Sequence, residues 1–317
     1  MTSQPELEGF YQQLSQDATR IVGETISGVV VGVERIPIGV MTHKFVVRLA
    51  EGHRYIVRFY PQARSFVVDY EPDLLRRCGE AGIPVPRVVV DSRTGPPAAL
   101  AYVAYRMVPG VNLEGRLEFL DRSQRQAIAR QLVECFTRMS TLSFEGYGEL
   151  RDGYHAHCST WKSFVHDAYH EGLAAVQKGN LLEQDLVAKL VDIGRQLDRF
   201  STSDSRTLLW GDVRPQNILV DAGDRFACLL DFEGCLAGDP LLSLGFGYAA
   251  LGDQPFFADC AEYWPGKIDW QQLYFYSVLR LLRIAKYAHM PLPTGRSREG
   301  LREVLPGFKS ALDALEN

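Results

Sequence analysis

The strongest constraint on the fold is a change of pattern at Pro109 and Gly110. Before this break apolar residues alternate as they do in strands. Beyond it, from Asp121 onward, they recur at helical spacing. Five β-rich segments precede the break: VVVGVERI (29–36), HKFVVRLA (43–50), RYIVRFYP (54–61), RVVVD (87–91) and AYVAYRMV (101–108). A helix is expected ahead of them, in ELEGFYQQLSQDATRIVG (6–23). A second falls between the third and fourth strands, in VVDYEPDLLRRCGEAG (67–82). Its Pro72 fits only in a first helical turn, where the missing N–H costs nothing. After the break, long periodic segments at 121–142, 160–177, 183–200, 240–252 and 269–289 predict helices. The pattern therefore divides the chain into a β-rich region, residues 1–108, and a mostly helical region, residues 109–317, an α+β organisation.

One stretch interrupts the helices. WGDVRPQNILVDAGDRFACLLDFEG (210–234) contains two short apolar runs, NILV and FACLL, around the turn DAGD, and reads as a hairpin. Its polar residues fall at the strand ends, where side chains can converge on a ligand. Asp212 and Asn217 have the D-x-x-x-x-N spacing of a kinase catalytic loop, and Asp231 follows the hairpin as a metal-binding Asp does. The residue types suit phosphoryl transfer. Mg²⁺ is a hard cation that takes one or two protein oxygens, which Asn217 and Asp231 can supply. Asp212, held off the metal, can orient an acceptor hydroxyl and take its proton. Arg214 is placed to reach a phosphate oxygen. Asp239, in G-D-P ahead of a helical run, reads as a helix cap.

These motifs resemble the aminoglycoside phosphotransferase and choline kinase family, small-molecule kinases with a protein-kinase-like fold. That family's loop H-G-D-x-x-P-x-N appears as WGDVRPQN, and its metal segment, with the following G-D-P, appears as LLDFEGCLAGDP. YIVRFYP resembles its third strand, VDYEPDLL its paired helix, and YRMVPGVNL the segment joining the lobes. The resemblance spans about residues 25–290. It implies a bilobal fold with one main helix inserted in the β-rich N-lobe. It also implies that Arg58 contacts nucleotide phosphates, that Glu71 pairs with Arg58, and that the backbone of Arg106, Met107 and Val108 faces the adenine. ATP is the implied donor and Mg²⁺ the implied ion, with GTP open because the base would be read by backbone groups. Three positions depart from the family. Trp210 stands for the usual His, Ser243 stands for a second Asp after G-D-P, and Gly39 is the only glycine of the phosphate loop, where Thr42 would supplement the grip.

Charge and composition narrow the partners. A net charge of -5, with basic residues spread along the chain, gives no footprint for nucleic acid and none for an anionic membrane. No secretory leader is visible at MTSQPELEGFYQQ, and six cysteines without C-x-x-C spacing read as reduced thiols of a cytoplasmic protein. Nothing in the sequence sets the number of subunits. Residues 240–317 hold eight acidic and eight basic side chains, a balance that does not favour a polycationic aminoglycoside. The expected acceptor is a small-molecule hydroxyl on a neutral, zwitterionic or weakly charged compound. An aminoglycoside antibiotic kinase is the alternative, and a nucleotide-binding regulatory protein without turnover a second. A protein kinase fits worse, since Asp239 follows Asp231 by only eight positions. HAHC (155–158) and HDAYH (166–170) raise a zinc site, but no fuller zinc signature accompanies them. Arg280, Arg283 and Lys286 read as the solvated edge of a helix, and MPLPTGRSREG (290–300) as a flexible loop.

Overall fold

The computed structural model describes residues 4–37, 41–287 and 305–316. Gly39 and the loop at 290–300 lie outside the described residues. The chain forms two compact units, one built mainly from residues up to Gly79 and Val85–Pro109, the other mainly from Glu80–Pro84 and Gly110–Pro291.

The first unit opens with helix α1 (Gln4–Thr25), followed by strands β1 (Val30–Ile36), β2 (His43–Leu49) and β3 (Arg54–Tyr60). Helix α2 (Glu71–Glu80) comes next, then β4 (Val88–Asp91) and β5 (Ala101–Arg106). The strands make one antiparallel sheet in the order β1-β2-β3-β5-β4. Leu14, Ala18, Ile21 and Val22 of α1 pack on one face, against Phe45, Val47, Val57, Phe59 and Tyr102. Side chains alternate along a strand, so Arg58, between Val57 and Phe59, points to the opposite face. The predicted helix at 67–82 is shorter than its pattern suggested. A 3₁₀ turn occupies Gln62–Asp69, and α2 begins at Glu71, which leaves Pro72 in the first turn.

Four charges fasten α2 to the end of β4. Arg93 pairs with Asp73 of α2 at 2.8 Å and with Asp91 of β4 at 3.0 Å, and Arg76 reaches Asp91 at 3.2 Å. Asp91 is fully buried, so these guanidiniums supply the compensation that a buried carboxylate requires.

The second unit runs β6 (Val111–Asn112), α3 (Arg122–Met139), β7 (Tyr147–Leu150), β8 (Ala156–Cys158), α4 (Trp161–Gly179), α5 (Gln184–Gly194) and β9 (Thr207–Leu209). There follow β10 (Ile218–Val220), β11 (Phe226–Leu229), β12 (Leu236–Gly238), α6 (Leu241–Leu251), α7 (Pro255–Tyr263), α8 (Trp270–Tyr287) and α9 (Leu305–Glu316). Two small sheets, β11-β10-β6 and β8-β7-β12-β9, accompany the helices. Asp121 caps α3 with a capping box completed by Gln124. The segment 183–200 is not one helix: α5 stops at Gly194, and a 3₁₀ turn covers Leu197–Phe200. Helix α8 packs against α4, α6 and α9. Phe275, Tyr276, Val278, Leu279 and Leu282 are fully buried, as expected of a helix apolar on nearly every side. Gly172 of α4 and Gly245 of α6 sit against α8 backbone, where a Cβ would collide. Among the described residues no helix is long and apolar enough to cross a membrane.

Candidate active site

The loop after β9 is held by its neighbours before any ligand is considered. Trp210 is fully buried, and its indole N–H donates to the Leu230 carbonyl at 3.1 Å. Its ring stacks on Phe232 at 6.3 Å and tilts against Phe136 at 6.5 Å. The tryptophan therefore ties the loop to the segment carrying Asp231, one residue beyond Leu230. Gly211 lies so close to the Gly234 carbonyl that no side chain fits there.

Asn217 reaches back across the loop. Its Nδ2 donates to the Asp212 carbonyl at 3.0 Å and to Asp212 Oδ2 at 2.7 Å. Oδ1 of Asn217 accepts no hydrogen bond among the described residues. The hairpin forms as read, with Ile218 paired to Leu229, and the Leu230 N–H donates to the Asn217 carbonyl at 2.8 Å. Facing residues of antiparallel strands stand roughly 5 Å apart. Asp231 therefore follows the residue opposite Asn217, and its φ of 62° marks a left-handed turn that ends the strand. A side chain held this way outside regular structure is a common feature of functional sites.

One amide oxygen and one carboxylate fit Mg²⁺, which keeps most of its shell for water and phosphate oxygens. They do not fit a metal that needs a full protein cage. Among the described residues no group of three or more His, Cys, Asp or Glu is arranged to hold an ion. Two of the four histidines that raised zinc face carboxylates instead: His155 Nδ1 is 2.8 Å from Asp152, and His166 Nε2 is 3.0 Å from Asp198.

Asp212 is more heavily engaged than its spacing suggested. Oδ2 takes Asn217 and also Arg214, at 2.9 Å, while Oδ1 takes Arg280 of α8. The carboxylate remains 17% exposed. Its two oxygens offer about four lone-pair directions, so three partners leave room for one hydroxyl. Arg280 corrects the solvated-edge reading. It is only 20% exposed, lies 5.3 Å over the Phe246 ring, and reaches Asp212 across 68 residues of sequence. Arg283 is likewise covered, 14% exposed, with Glu149 at 3.3 Å. Lys286 pairs with Glu171. The only signal in the sequence was that Arg280 and Arg283 stand among the apolar residues VLRLLRIA, a setting in which arginines are often held beside other elements. Asp239 does cap, accepting the Leu241 N–H at 3.0 Å and the Tyr276 hydroxyl at 2.8 Å.

The first unit gathers a second group. Arg58 lies 3.3 Å from Glu71 and donates through Nε to Thr42 Oγ1 at 3.1 Å, all three side chains being buried. The Tyr60 hydroxyl also donates to Glu71. Thr42 thus sits under Arg58, its oxygen engaged as an acceptor. The Arg106 and Met107 N–H groups belong to the sheet, donating to Arg87 and Arg54 carbonyls. The Val108 N–H donates to nothing among the described residues. Arg106 turns its side chain outward, 3.3 Å from His53.

Residues 32–276 match the model of the APH phosphotransferase enzyme family. The chain belongs to the phosphotransferase enzyme family. No curated protein matches it in sequence. Solved structures similar to this phosphotransferase include aminoglycoside phosphotransferase APH(4)-Ia, 16% identical, with a TM-score of 0.68 over 95% of this chain and 99% of that one. A thermostable mutant of that enzyme in ternary complex with AMP-PNP and hygromycin B gives 17%, 0.69, 95% and 98%. The GDP and kanamycin complex of APH(2")-IIIa gives 18%, 0.66, 95% and 97%. At these identities the likeness establishes the fold of the phosphotransferase: a β-sheet N-terminal region and a helical C-terminal region of kinase-like type.

Proposed function

We propose that this phosphotransferase moves the γ-phosphoryl group of ATP, in line, to a hydroxyl of a small molecule that is not strongly polycationic. The observation that carries the reading is Asn217, which holds Asp212 with its amide nitrogen while its amide oxygen accepts no hydrogen bond among the described residues; that oxygen would serve an ion together with Asp231. Mg²⁺, when bound, would neutralise charge on the nucleotide phosphates. Asp212 accepts the acceptor's hydroxyl hydrogen bond and then its proton. Arg214 and Arg280 keep the carboxylate aimed, and Arg214 is exposed enough to swing to a phosphate oxygen. Arg58, ordered by Glu71 and Thr42, contacts nucleotide phosphates, and the Val108 N–H is the donor available to the nucleobase.

The structural neighbours supply a second reading, an aminoglycoside kinase, because their complexes hold hygromycin B and kanamycin. Against it stand two guanidiniums flanking Asp212 and the even charge balance of residues 240–317. GTP stays open as a donor, since one neighbour binds GDP. A non-catalytic nucleotide-binding role is the third reading, motivated by the single glycine at 39 and by Trp210. The six cysteines, none of them in a disulfide, fit a cytoplasmic setting.

Acceptor-dependent ADP formation, followed across kanamycin, macrolide, sugar and amino-alcohol acceptors with ATP or GTP, separates these readings. The expected result is turnover of an acceptor without multiple ammonium groups, falling by several orders of magnitude in Asp212→Ala while Mg-nucleotide still binds. Preference for kanamycin would establish the second reading. Binding without turnover of any acceptor would establish the third.

A further inference from the structure

Arg283 stands one turn beyond Arg280 on the same side of α8, about 5 Å away by helix geometry. Its partnering is incomplete. Glu149, on β7, meets only Nη2, at 3.3 Å, and is itself 53% exposed. The adjacent Nε is buried and has no hydrogen-bond partner. A guanidinium of this kind ordinarily takes a carboxylate or phosphate through two parallel N–H bonds, one of them from Nε. Glu149 makes one long contact and leaves the other donor empty.

The charge beside Asp212 points the same way. Arg214 and Arg280 set two positive charges against that one carboxylate, with Arg283 one turn on. Beyond it Lys286 pairs with Glu171, and Glu149, Asp167 and Glu171 gather around Cys158, so the positive excess is local to the Asp212 end. Phe246 and Phe164 lie under Arg280 and Arg283 at 5.3 and 5.6 Å, so the guanidiniums are backed by rings and poorly hydrated. An ammonium group brought here would meet repulsion and partial desolvation together. An oxyanion would supply the missing partner of Arg283 Nε.

We propose that Arg283 is the subsite for an anionic group carried by the acceptor alcohol, with Glu149 holding its place until the acceptor arrives. The substrate class is then a hydroxy acid or a phosphorylated alcohol whose anion lies one helical turn from the reacting hydroxyl at Asp212. This rests on Asp212 facing the acceptor, as in the function proposed above. On binding, the acceptor's two oxyanion oxygens take Arg283 Nε and Nη2, and the Glu149 carboxylate moves to solvent. The exchange makes and breaks no covalent bond.

Compounds that differ only in charge test it: gluconate, glucose, glucosamine and glucose 6-phosphate. Each is titrated at millimolar concentration into the full chain saturated with Mg·AMP-PNP, with the unfolding temperature as readout. Gluconate or glucose 6-phosphate is expected to stabilise the protein more than glucose does, and glucosamine least. The larger of the two anionic effects tells carboxylate from phosphate. Arg283→Gln should weaken anion binding about tenfold or more without changing the shift given by Mg·AMP-PNP alone. Glu149→Gln, which removes the competitor, should strengthen anion binding severalfold and keeps the test alive if the arginine variant does not fold. Stabilisation by glucosamine or glucose equal to that of the anions would overturn the proposal. So would the absence of any shift with both anions, or equal anion binding by wild type and Glu149→Gln. Failure of Mg·AMP-PNP itself to stabilise the wild type is a different result, which removes the nucleotide site and not the anion subsite.

Discussion

Trp210 shows how one side chain can connect two motifs. Its N–H fixes the Leu230 carbonyl, and its ring covers Phe232, so the residues on both sides of Asp231 are held from the loop after β9. Trp210→Phe keeps much of the packing and leaves the half-buried Leu230 carbonyl without its donor, at a cost of about 1 kcal/mol. The expected outcome is a lower unfolding temperature together with several-fold weaker Mg-dependent AMP-PNP binding, and Trp210→His should recover part of that binding. Calorimetric titration with and without Mg²⁺ measures both. Asp212, Asn217 and Asp231 were legible in the sequence because their spacing is local, set by one loop and one hairpin. Arg280 was not, because its contact with Asp212 depends on where α8 crosses the loop. The engagement of Thr42 by Arg58 was hidden for the same reason, since it arises from the pairing of β2 with β3.

Helix α2 carries Glu71, and its placement depends on the Asp73, Arg76, Asp91 and Arg93 cluster. Burial pushes the Asp91 carboxyl up, but hydrogen bonds and charge from Arg93, with help from Arg76, hold it below its ordinary value of 3.8. Asp73 is also lowered, chiefly by its hydrogen bonds to Arg93. Carboxylates depressed in the folded state add stability that is fully present above their unfolded values and is lost as pH falls through the folded ones. Arg93→Ala should therefore cost about 2 kcal/mol at neutral pH, discounted from a fully buried pair because Arg93 is one-third exposed and Arg76 remains. The difference from wild type should narrow as pH drops below 3.8, read as urea midpoints across the range. A raised KM for nucleotide should accompany it, because α2 positions Glu71 against Arg58. Long periodic segments such as α1, α3, α4 and α8 were readable from pattern. Helix α7 and the strands β6 to β9 and β12 were not. Two to four residues carry no period, and the register of such strands is set by partners distant in sequence.

For the whole chain, membership of the phosphotransferase family and the kinase-like fold account for the switch from strands to helices at Pro109 and Gly110. Family and fold leave the acceptor unspecified, since residues that bind an acceptor follow no motif; the ones proposed above lie on α8, β7 and the loop after β9. The central claim concerns the hairpin, where Asn217 and Asp231 are held to give oxygens to one ion beside Asp212. Its most direct test is AMP-PNP affinity with and without Mg²⁺, compared between wild type and Asp231→Ala. Mg²⁺ should tighten binding to the wild type severalfold or more, and Asp231→Ala should lose that gain while its Mg-free affinity stays the same. An Asp231→Ala protein that kept the full Mg²⁺ dependence would contradict the account.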